Sequence, residues 1–356
     1  MKIHNYSAGP CVLPKSVMEK AAESVINYNN TGLSIIEMSH RSKDFIDVMD
    51  RAVALVKELL NVPEGYEVLF LQGGASMQFY MTALNFLPQD GKAAYINTGT
   101  WSSKAIKEAK LLGEVVEIAS SKDKNFNYIP KDYSVPSDVA YLHYTTNNTI
   151  FGTQFKHVPE TNASLICDMS SDIMSQEIDV SKYDLIYAGA QKNIGPAGAT
   201  VVIVKKDALG KSGRVLPSMM DYEIHINSES MYNTPPCFSI YTAMLTMEWV
   251  KELGGVKAMA ERNKAKAELL YNEIDRNPLF KGTAAVEDRS LMNPTFVMND
   301  DSLSADFLQK SIDAGISGIK GHRSVGGFRA SMYNALELEN VQALVDVMQE
   351  FERTNG

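Results

Sequence analysis

The stretch Leu185-Ile186-Tyr187-Ala188-Gly189-Ala190-Gln191-Lys192-Asn193-Ile194-Gly195-Pro196-Ala197-Gly198 joins a short apolar run to a turn built mostly of small residues. The run has the composition of a buried strand, and the turn contains a single lysine, Lys192. A lysine in such a turn is poorly placed to reach solvent. The stretch therefore predicts a buried strand that delivers an amine to the edge of a sheet.

Apolar runs of the same kind recur along the chain, separated by longer amphipathic or polar segments. Together with Leu185–Ala188 they predict seven strands: Glu67–Leu71, Ala93–Asn97, Val115–Ile118, Val139–Tyr144, Ser164–Asp168 and Thr200–Val204 are the other six. Several runs are apolar on both faces, which is typical of a mostly parallel sheet covered by helices on each side. The glycine-rich connection before Thr200 is too short for a parallel crossover, so we expect one edge strand to be antiparallel.

Helical periodicity brackets this region and suggests a second, smaller unit. Helices are predicted at Ser16–Tyr28, Ser42–Leu60 and Ser239–Leu253, with another that follows Gly254-Gly255 and runs to Asp275. Strands around Pro294–Met298 and Phe328–Tyr333 then alternate with helices Ala305–Ala314 and Glu339–Arg353. We therefore predict an α/β fold with a mostly parallel seven-stranded sheet in a large domain, 15–255, and a smaller α+β domain made of 1–14 and 256–356.

The overall charge excludes several classes of protein. The chain has 356 residues, and 34 Lys and Arg against 43 Asp and Glu give a net charge of −9. This balance argues against nucleic acid or an anionic membrane surface as the main partner, because both are held by an excess of cations. A small anionic ligand remains compatible with it, provided that a few cations gather locally.

Cysteine and histidine usage points to a protein of a reducing compartment. Cys11, Cys167 and Cys237 are too scattered for a disulfide framework or a zinc site, and the six histidines have no metal-ligand spacing. The first residues lack the apolar run of a signal peptide, and no segment reaches the roughly 20 apolar residues of a membrane span. We expect a cytoplasmic protein that binds no metal.

Asp168, which ends the preceding predicted strand, changes the interpretation of Lys192. In isolation Lys192 would be read as a surface lysine paired with an acid, and Asp168 as a helix N-cap before Met169-Ser170-Ser171. Their spacing, however, suits a crossover between neighbouring parallel strands, which places both side chains at the carboxyl edge of the sheet. A desolvated amine can form a Schiff base with an aldehyde, while a carboxylate pairs with a pyridinium nitrogen. The pair favours pyridoxal phosphate as the cofactor.

Other predicted strand ends agree with this interpretation. Gln72-Gly73-Gly74 leads from a strand into a helix, whose amino end could bind a phosphate, although many such turns carry glycines for steric reasons only. Trp101 could stack on a flat ring or cap the core. Thr149 offers a hydroxyl to a ring oxygen, or it satisfies its own turn.

These residues resemble the phosphoserine aminotransferases, a family of fold type I pyridoxal-phosphate enzymes, over essentially the whole chain. The resemblance rests on seven motifs: Ser7-Ala8-Gly9-Pro10, Glu37-Met38-Ser39-His40-Arg41-Ser42, Gln72-Gly73-Gly74, Gly99-Thr100-Trp101, Ala188-Gly189-Ala190-Gln191-Lys192-Asn193-Ile194-Gly195-Pro196, Tyr232-Asn233-Thr234-Pro235-Pro236 and Gly321-His322-Arg323-Ser324-Val325-Gly326-Gly327-Phe328-Arg329-Ala330-Ser331. One departure is Asn148, where many members have glutamate.

The resemblance implies a role for each matching position. Lys192 corresponds to the Schiff-base lysine, Asp168 to the partner of the ring nitrogen and Trp101 to the stacking residue, and these three are the catalytic candidates. The remaining cofactor contacts are Ala75, Ser76 and Gln191 around the phosphate, Thr149 on the ring hydroxyl, Ser170 beside the cofactor, and Asn233 and Thr234. In this family the last two reach the phosphate of the neighbouring subunit, which implies a homodimer with shared sites.

Two His-Arg-Ser elements stand out in an acidic chain, and the resemblance assigns them to the substrate. It places His40, Arg41, His322 and Arg323 at the substrate phosphate, and Arg329 with Trp101 at the carboxylate. Arginine suits both groups, at about 1.5–3 kcal/mol per charged hydrogen bond. The implied reaction is transamination between phosphoserine or 3-phosphohydroxypyruvate and glutamate or 2-oxoglutarate in serine biosynthesis. Family members often also use 4-phosphohydroxythreonine in pyridoxine biosynthesis, and the sequence does not decide this point.

The competing classes fit the sequence less well. A cysteine desulfurase needs a reactive cysteine on a loop of the C-terminal half, and none of the three cysteines is so placed. An alanine–glyoxylate type of transaminase has no use for two His-Arg clusters. A dinucleotide-binding module lacks its glycine fingerprint here, and a phosphate-binding protein without activity would not need Lys192 paired with Asp168.

Overall fold

The computed structural model describes residues 2–355 and has a central sheet flanked by helices. In chain order the strands are β1 His4–Asn5, β2 Tyr66–Leu71, β3 Lys92–Asn97, β4 Glu114–Ser120, β5 Val139–Thr145, β6 Asn147–Asn148, β7 Thr153–Gln154, β8 Ser164–Asp168, β9 Leu185–Gly189, β10 Thr200–Lys205, β11 Phe280–Gly282, β12 Thr295–Met298, β13 Ile316–Ser317 and β14 Phe328–Arg329. The α-helices are α1 Lys15–Asn27, α2 Lys43–Leu59, α3 Gly74–Phe86, α4 Thr100–Ala109, α5 Tyr222–Asn227, α6 Cys237–Glu252, α7 Gly255–Arg276, α8 Ser304–Asp313 and α9 Leu338–Asn355.

The seven predicted strands form one sheet in the order β2-β10-β9-β8-β5-β3-β4. All neighbouring pairs are parallel except those made by β10, which is antiparallel to both β9 and β2. The prediction of a mostly parallel seven-stranded sheet is therefore confirmed. The expectation that the antiparallel strand lies at an edge is wrong, because β2 pairs with the outer side of β10 and completes the sheet.

Successive residues of the central strands pack into two different hydrophobic clusters. In β9, Ile186 and Ala188 join the cluster that contains α1, α2 and α6, whereas Leu185 and Tyr187 join the cluster that contains α3 and α4. The side chains of a strand alternate between its two faces, so both faces of this sheet are covered by helices. This explains why the strands are recognised as continuous apolar runs rather than alternating ones.

The C-terminal part of the chain has a third hydrophobic cluster of its own. It unites Tyr6 with residues of α7, α8, α9 and the small sheet β11-β12-β14. The amino-terminal strand β1 also pairs with β13 in this region. These contacts are compatible with the proposed small domain of 1–14 and 256–356, and we retain that division as a proposal.

Two strands of the small sheet are shorter than predicted, and one proline accounts for both. The segment after Arg329 continues beside Met292-Asn293-Pro294, since Ala330 N–H donates to the Pro294 carbonyl and Met332 N–H to the Met292 carbonyl. Pro294 has no N–H to donate in return, so a regular ladder cannot form there. Accordingly β12 begins at Thr295 instead of Pro294, and β14 ends at Arg329 instead of Tyr333.

The third cluster offers a test of the packing. Phe307 on α8 is fully buried, with its ring centroid 4.9 Å from that of Phe280 and 5.0 Å from that of Phe328. We expect Phe307→Ala to lower the free energy of unfolding by about 3–5 kcal/mol, measured by urea denaturation. Ile312→Ala on the same helix, at a side chain that is 51% exposed, should change it by less than about 0.5 kcal/mol. Equal losses would contradict the packing described.

Candidate active site

Asp168 and Lys192 meet at the carboxyl edge of the central sheet, as predicted. Asp168 is the last residue of β8, and the parallel neighbour β9 ends at Gly189, three residues before Lys192. Both side chains line a cavity of about 380 Å³. The other predicted site residues that line it are Ala75, Ser76, Trp101, Thr149, Ser170, Gln191, His322 and Arg329.

Asp168 is buried at the base of this cavity. Its Oδ1 accepts a hydrogen bond from the Ser170 backbone N–H (2.9 Å), and the Ser170 hydroxyl in turn accepts one from Gly189 N–H (3.1 Å). Burial raises the pKa of the Asp168 carboxyl, while the nearby Lys192 ammonium acts in the opposite direction. The loop after β8 thus holds a buried carboxylate at the cavity wall, with Ser170 as its hydrogen-bond partner.

Lys192 is also buried, and burial acts on its pKa in the opposite direction. Burial lowers the pKa of its ammonium group, and the negative charges of Asp168 and Asp172 partly oppose that effect. The backbone around it is held by the amino-terminal segment, because Cys11 N–H donates to the Gln191 carbonyl (3.2 Å) and Cys11 Sγ donates to the Lys192 carbonyl (2.7 Å). The site therefore contains an amine that is more easily deprotonated than an exposed lysine.

The amino end of α3 forms another wall of the cavity. Gly73 has a φ of +85°, and a Cβ at this position would lie 2.5 Å from Met77 Cβ, so the turn requires glycine. The turn allows Gly74, Ala75 and Ser76 to begin the helix at the cavity wall. Free backbone N–H groups and the positive end of the helix dipole there suit a phosphate.

A hydrogen bond from the Trp101 side chain to the loop after β5 fixes its ring. Its Nε1–H donates to Thr149 Oγ1 (3.0 Å), and its ring centroid lies 5.8 Å from Lys192 Nζ. Asn148, the departure noted in the sequence, donates from Nδ2 to the Thr98 carbonyl and accepts from Ile150 N–H at Oδ1 (3.0 Å). The asparagine thus makes its own hydrogen bonds and leaves Thr149 in the cavity wall.

Two basic side chains of the cavity, His322 and Arg329, come from the segment around β14. Arg329 Nη1 donates to the Thr149 carbonyl (2.8 Å), and burial lowers the pKa of its guanidinium. His322 also faces the cavity, and its pKa is lowered by burial and then by Arg329, Arg323 and Lys104. Lys104 is one helical turn after Trp101, with Nζ 4.6 Å from that ring centroid. A cluster of positive charge therefore lies at this wall.

Five predicted residues lie outside the lining of this cavity. Arg323 follows His322 on the same loop but does not line it, and His40 and Arg41 precede the N-cap Ser42 of α2. Asn233 lines a separate cavity of about 230 Å³ together with Gln72 and Gly73, and the Thr234 carbonyl accepts a hydrogen bond from Gln72 Nε2 (2.8 Å). Within one chain the structure does not bring these residues together with Lys192.

Several lining residues were not predicted from the sequence to belong to the site. They are Ala8, Gly9, Gly74, Phe79, Thr145, Asn147, Ile150 and Ser171. The Ser7-Ala8-Gly9-Pro10 motif was a signal for two of them. Gly9 packs closely on the lysine, since a Cβ at this position would lie 3.3 Å from Lys192 Cγ. Asn147 and Ser171 gave no signal, because both residue types are common in ordinary turns.

Comparisons with known proteins agree with this geometry. The family profile described as aminotransferase class-V matches residues 3–344. The chain is 62% identical to the phosphoserine aminotransferase of Flavobacterium psychrophilum and 59% identical to that of Bacteroides fragilis, with 99% of each chain covered. Among the described residues, no helix is long and apolar enough to cross a membrane, and no cluster of His, Cys, Asp or Glu could hold a metal ion.

Solved structures give the same result. The phosphoserine aminotransferase from Bacillus circulans subsp. alkalophilus superimposes with a TM-score of 0.97 at 45% identity, over 100% of this chain and 99% of that one. The pyridoxal-phosphate-bound enzyme from Trichomonas vaginalis gives a TM-score of 0.92 at 39% identity, over 98% and 100% of the two chains. Sequence, fold and site geometry agree over the full length, and the chain belongs to the phosphoserine aminotransferases of the class-V aminotransferase family.

Proposed function

We propose that the chain transfers an amino group between phosphoserine or 3-phosphohydroxypyruvate and glutamate or 2-oxoglutarate, with pyridoxal phosphate as its cofactor. The observation that carries this proposal is the convergence of buried Asp168 and Lys192 in one cavity, between the amino end of α3 and the cations of the β14 loop. A cofactor phosphate and an anionic substrate would then have separate places. This transamination belongs to serine biosynthesis.

The residues of the cavity fit this cofactor. Lys192 would hold its aldehyde and Asp168 its ring nitrogen, because a buried carboxylate gains from pairing with a cationic N–H. Trp101 would cover one face of the ring, Thr149 would bind its hydroxyl, and Ser170 would contact it beside Asp168. Ala75, Ser76 and Gln191 would surround its phosphate at the amino end of α3. When bound, the cofactor supplies an electron sink for the carbanion left after removal of the substrate α-proton.

Lys192 is the general base in this proposal. Its lowered pKa increases the neutral fraction of the amine, which can accept the α-proton at Nζ and return it at another carbon. Asp168 would pair with the ring nitrogen as a carboxylate and would stabilise the protonated form of that nitrogen. Trp101 is fixed by Thr149 and orients the reacting plane, while the hydrogen bond from Arg329 to the Thr149 carbonyl connects the substrate end to the same loop.

The two ends of the substrate would be held by different cations. Arg329, which is half-buried, would bind the α-carboxylate together with Trp101. His322 and Arg323 would bind the substrate phosphate, and His40 and Arg41 would complete that site. Both His-Arg elements then serve the phosphate end and Arg329 the carboxylate end, and separating the two anionic groups fixes which end of the substrate meets Lys192.

We also propose that the enzyme is a homodimer with shared sites. Asn233, Thr234, His40 and Arg41 do not line the cavity of their own chain, which is the result expected if they serve the cavity of a partner. Exposed apolar side chains support a protein partner for the segment that precedes His40: they are Met18, Val25, Ile26, Leu33 and Ile36, on α1 and the loop that follows it. Three free cysteines favour a reducing compartment, and we infer a cytoplasmic location.

Reduction with borohydride tests the role of Lys192. We expect the purified protein to be yellow, and borohydride treatment to attach the cofactor covalently to Lys192, detected by mass spectrometry of proteolytic peptides. Lys192→Ala should lose this attachment. Lys104→Met is the matched control, because Lys104 also lies near the Trp101 ring but should keep the label on Lys192. A colourless protein that takes up no pyridoxal phosphate would contradict the proposed function.

Substitution of Arg323 tests the phosphate assignment. We expect Arg323→Ala to lower kcat/KM for phosphoserine by about 10- to 100-fold, because the substitution removes at least one charged hydrogen bond to the phosphate. The half-reaction with alanine, followed by absorbance, should change by less than about threefold because alanine has no phosphate. Arg262→Ala, which removes a surface pairing with Glu337, is the control. Equal losses with both amino donors would remove Arg323 from the phosphate site.

Mixing two inactive variants tests the shared site. In a dimer with shared sites, Lys192→Ala combined with the double variant Asn233→Ala, Thr234→Ala leaves one intact site in each mixed dimer. Random exchange after partial denaturation should then restore about one quarter of the wild-type activity. Each variant exchanged with itself is the control. If both variants fold and exchange chains but no activity returns, the sites are not shared.

A further inference from the structure

Asp172 is a buried carboxylate that the proposed mechanism does not use. It follows Asp168 by four residues and is 5% exposed, yet it does not line the active-site cavity. It instead lines a separate cavity of about 490 Å³, together with Thr146, Lys156 and Glu177. Among the described residues it forms no salt bridge. A buried acid without a salt bridge so close to Asp168 calls for a functional explanation.

One oxygen of Asp172 is fixed as a hydrogen-bond acceptor. Its Oδ2 accepts from Gln154 Nε2 (3.2 Å). The Gln154 side-chain amide cannot flip without breaking two hydrogen bonds, because its Oε1 accepts from Lys156 Nζ (3.1 Å) and from Leu291 N–H (3.0 Å). When Asp172 takes up a proton, that proton therefore belongs on Oδ1.

Thr146 connects Oδ1 of Asp172 to the backbone of Asp168. Its hydroxyl is within hydrogen-bonding distance of Asp172 Oδ1 and lies 3.1 Å from the Asp168 carbonyl oxygen, which also accepts from Thr146 N–H (3.0 Å). A threonine hydroxyl has one proton to donate. It donates to Asp172 when that group is ionised, and it turns to the Asp168 carbonyl when Asp172 is protonated and donates to Thr146.

The charge of Asp172 also acts on Lys192. An ionised Asp172 raises the pKa of Lys192, which burial otherwise lowers. Burial raises the pKa of Asp172 itself to about 6, and the negative charge of Asp168 adds to this, while the hydrogen bonds from Thr146 and Gln154 and the charge of Lys156 oppose it. The other titratable groups around it are Cys167, Tyr144, Tyr183, His157, Glu177, Asp179 and Lys182.

We propose that Asp172 is a positioning residue for the active site, which acts through its charge on Lys192 and through Thr146 on the backbone of Asp168, and thereby makes the site respond to pH near neutrality. The inference rests on the proposed function, because the affected pair is Lys192 and Asp168. Taking up one proton from solvent at Asp172 removes one negative charge and adds one hydrogen bond to the Asp168 carbonyl. The loss of the negative charge favours loss of the proton from the Lys192 nitrogen.

Asp172→Asn reproduces the protonated form of this residue. Its Oδ1 can accept from Gln154 and its Nδ2 can donate to Thr146, so the charge is lost while the hydrogen bonds persist. In the pyridoxal-phosphate-loaded protein we expect the midpoint of the pH-dependent change in visible absorbance to fall by about 0.5–1 pH unit, because a nearby negative charge no longer stabilises the cationic nitrogen at Lys192. Glu177→Gln, which removes an exposed carboxylate of the same cavity, should leave the midpoint unchanged.

Thr146 provides a second test that does not alter a charge. Thr146→Val removes the hydroxyl that stabilises ionised Asp172, so the midpoint should move in the same direction but less, and Thr146→Ser should restore it. The apoprotein gives an independent signal. A carboxyl group with a raised pKa stabilises the fold at low pH and loses that contribution as pH rises through about 6. Wild type should therefore lose more thermal stability than Asp172→Asn between pH 4 and 7.

The outcomes separate the two proposals. A yellow wild type whose midpoint is the same in Asp172→Asn, or in Thr146→Val if the first variant does not fold, overturns the role of Asp172 and leaves the proposed function intact. A wild type that takes up no pyridoxal phosphate overturns the proposed function and this inference with it. A shift in Asp172→Asn that Glu177→Gln matches would show a nonspecific charge effect and would also overturn the inference.

Discussion

The structure depends on the burial of two opposite charges at one edge of the sheet. Desolvation is the largest influence on both Asp168 and Lys192, raising the pKa of the first and lowering that of the second, and each partly relieves the other. Two such groups remain buried only if the backbone holds them together. The parallel pairing of β8 with β9 meets this requirement, because Asp168 lies opposite Tyr187 and Lys192 follows five residues later.

The surrounding fold keeps that edge in place by polar contacts as well as by packing. Asn147 Nδ2 donates to Ser171 Oγ and to Asn293 Oδ1 (both 2.8 Å), and Asn293 Nδ2 donates to Ser331 Oγ (2.9 Å). The Tyr333 hydroxyl continues the series by donating to the Ala8 carbonyl (2.8 Å). These buried amides connect the loops after β5 and β8 to the C-terminal region. Because their bonds are fully inside the protein, they fix one arrangement of the cavity walls.

The sequence predicted the sheet well because its strands are buried on both faces. Their apolar runs are continuous, and the predicted bounds agree with the structure to within two residues. The position of β10 could not be predicted, since antiparallel pairing with β9 follows from a short connection, whereas pairing with β2 depends on contacts distant in sequence. The shortening of β14 has a local cause at Pro294. Predicting it would have required knowing that Pro294 lies beside the segment after Arg329.

Site residues could be predicted where a reactive residue type follows directly after a buried strand. Other residues of the site could not be predicted as well. Lys192 and Asp168 combine unusual residue types with positions after buried strands. Asn147 and Asp172, in contrast, lie in segments whose sequences are typical of ordinary turns. Only the structure shows that both side chains are buried.

Asp172 also sharpens the meaning of the overall charge of −9. Net charge argues correctly against polyanionic partners, but it counts an exposed glutamate and a buried aspartate alike. At the protein surface one more carboxylate is screened by water and salt within about 10 Å. Behind Asp168 the same charge acts through protein interior, where the effective dielectric constant is lower. Its influence on Lys192 therefore follows from burial, and the local arrangement of charges, rather than their sum, decides when Lys192 can accept a proton.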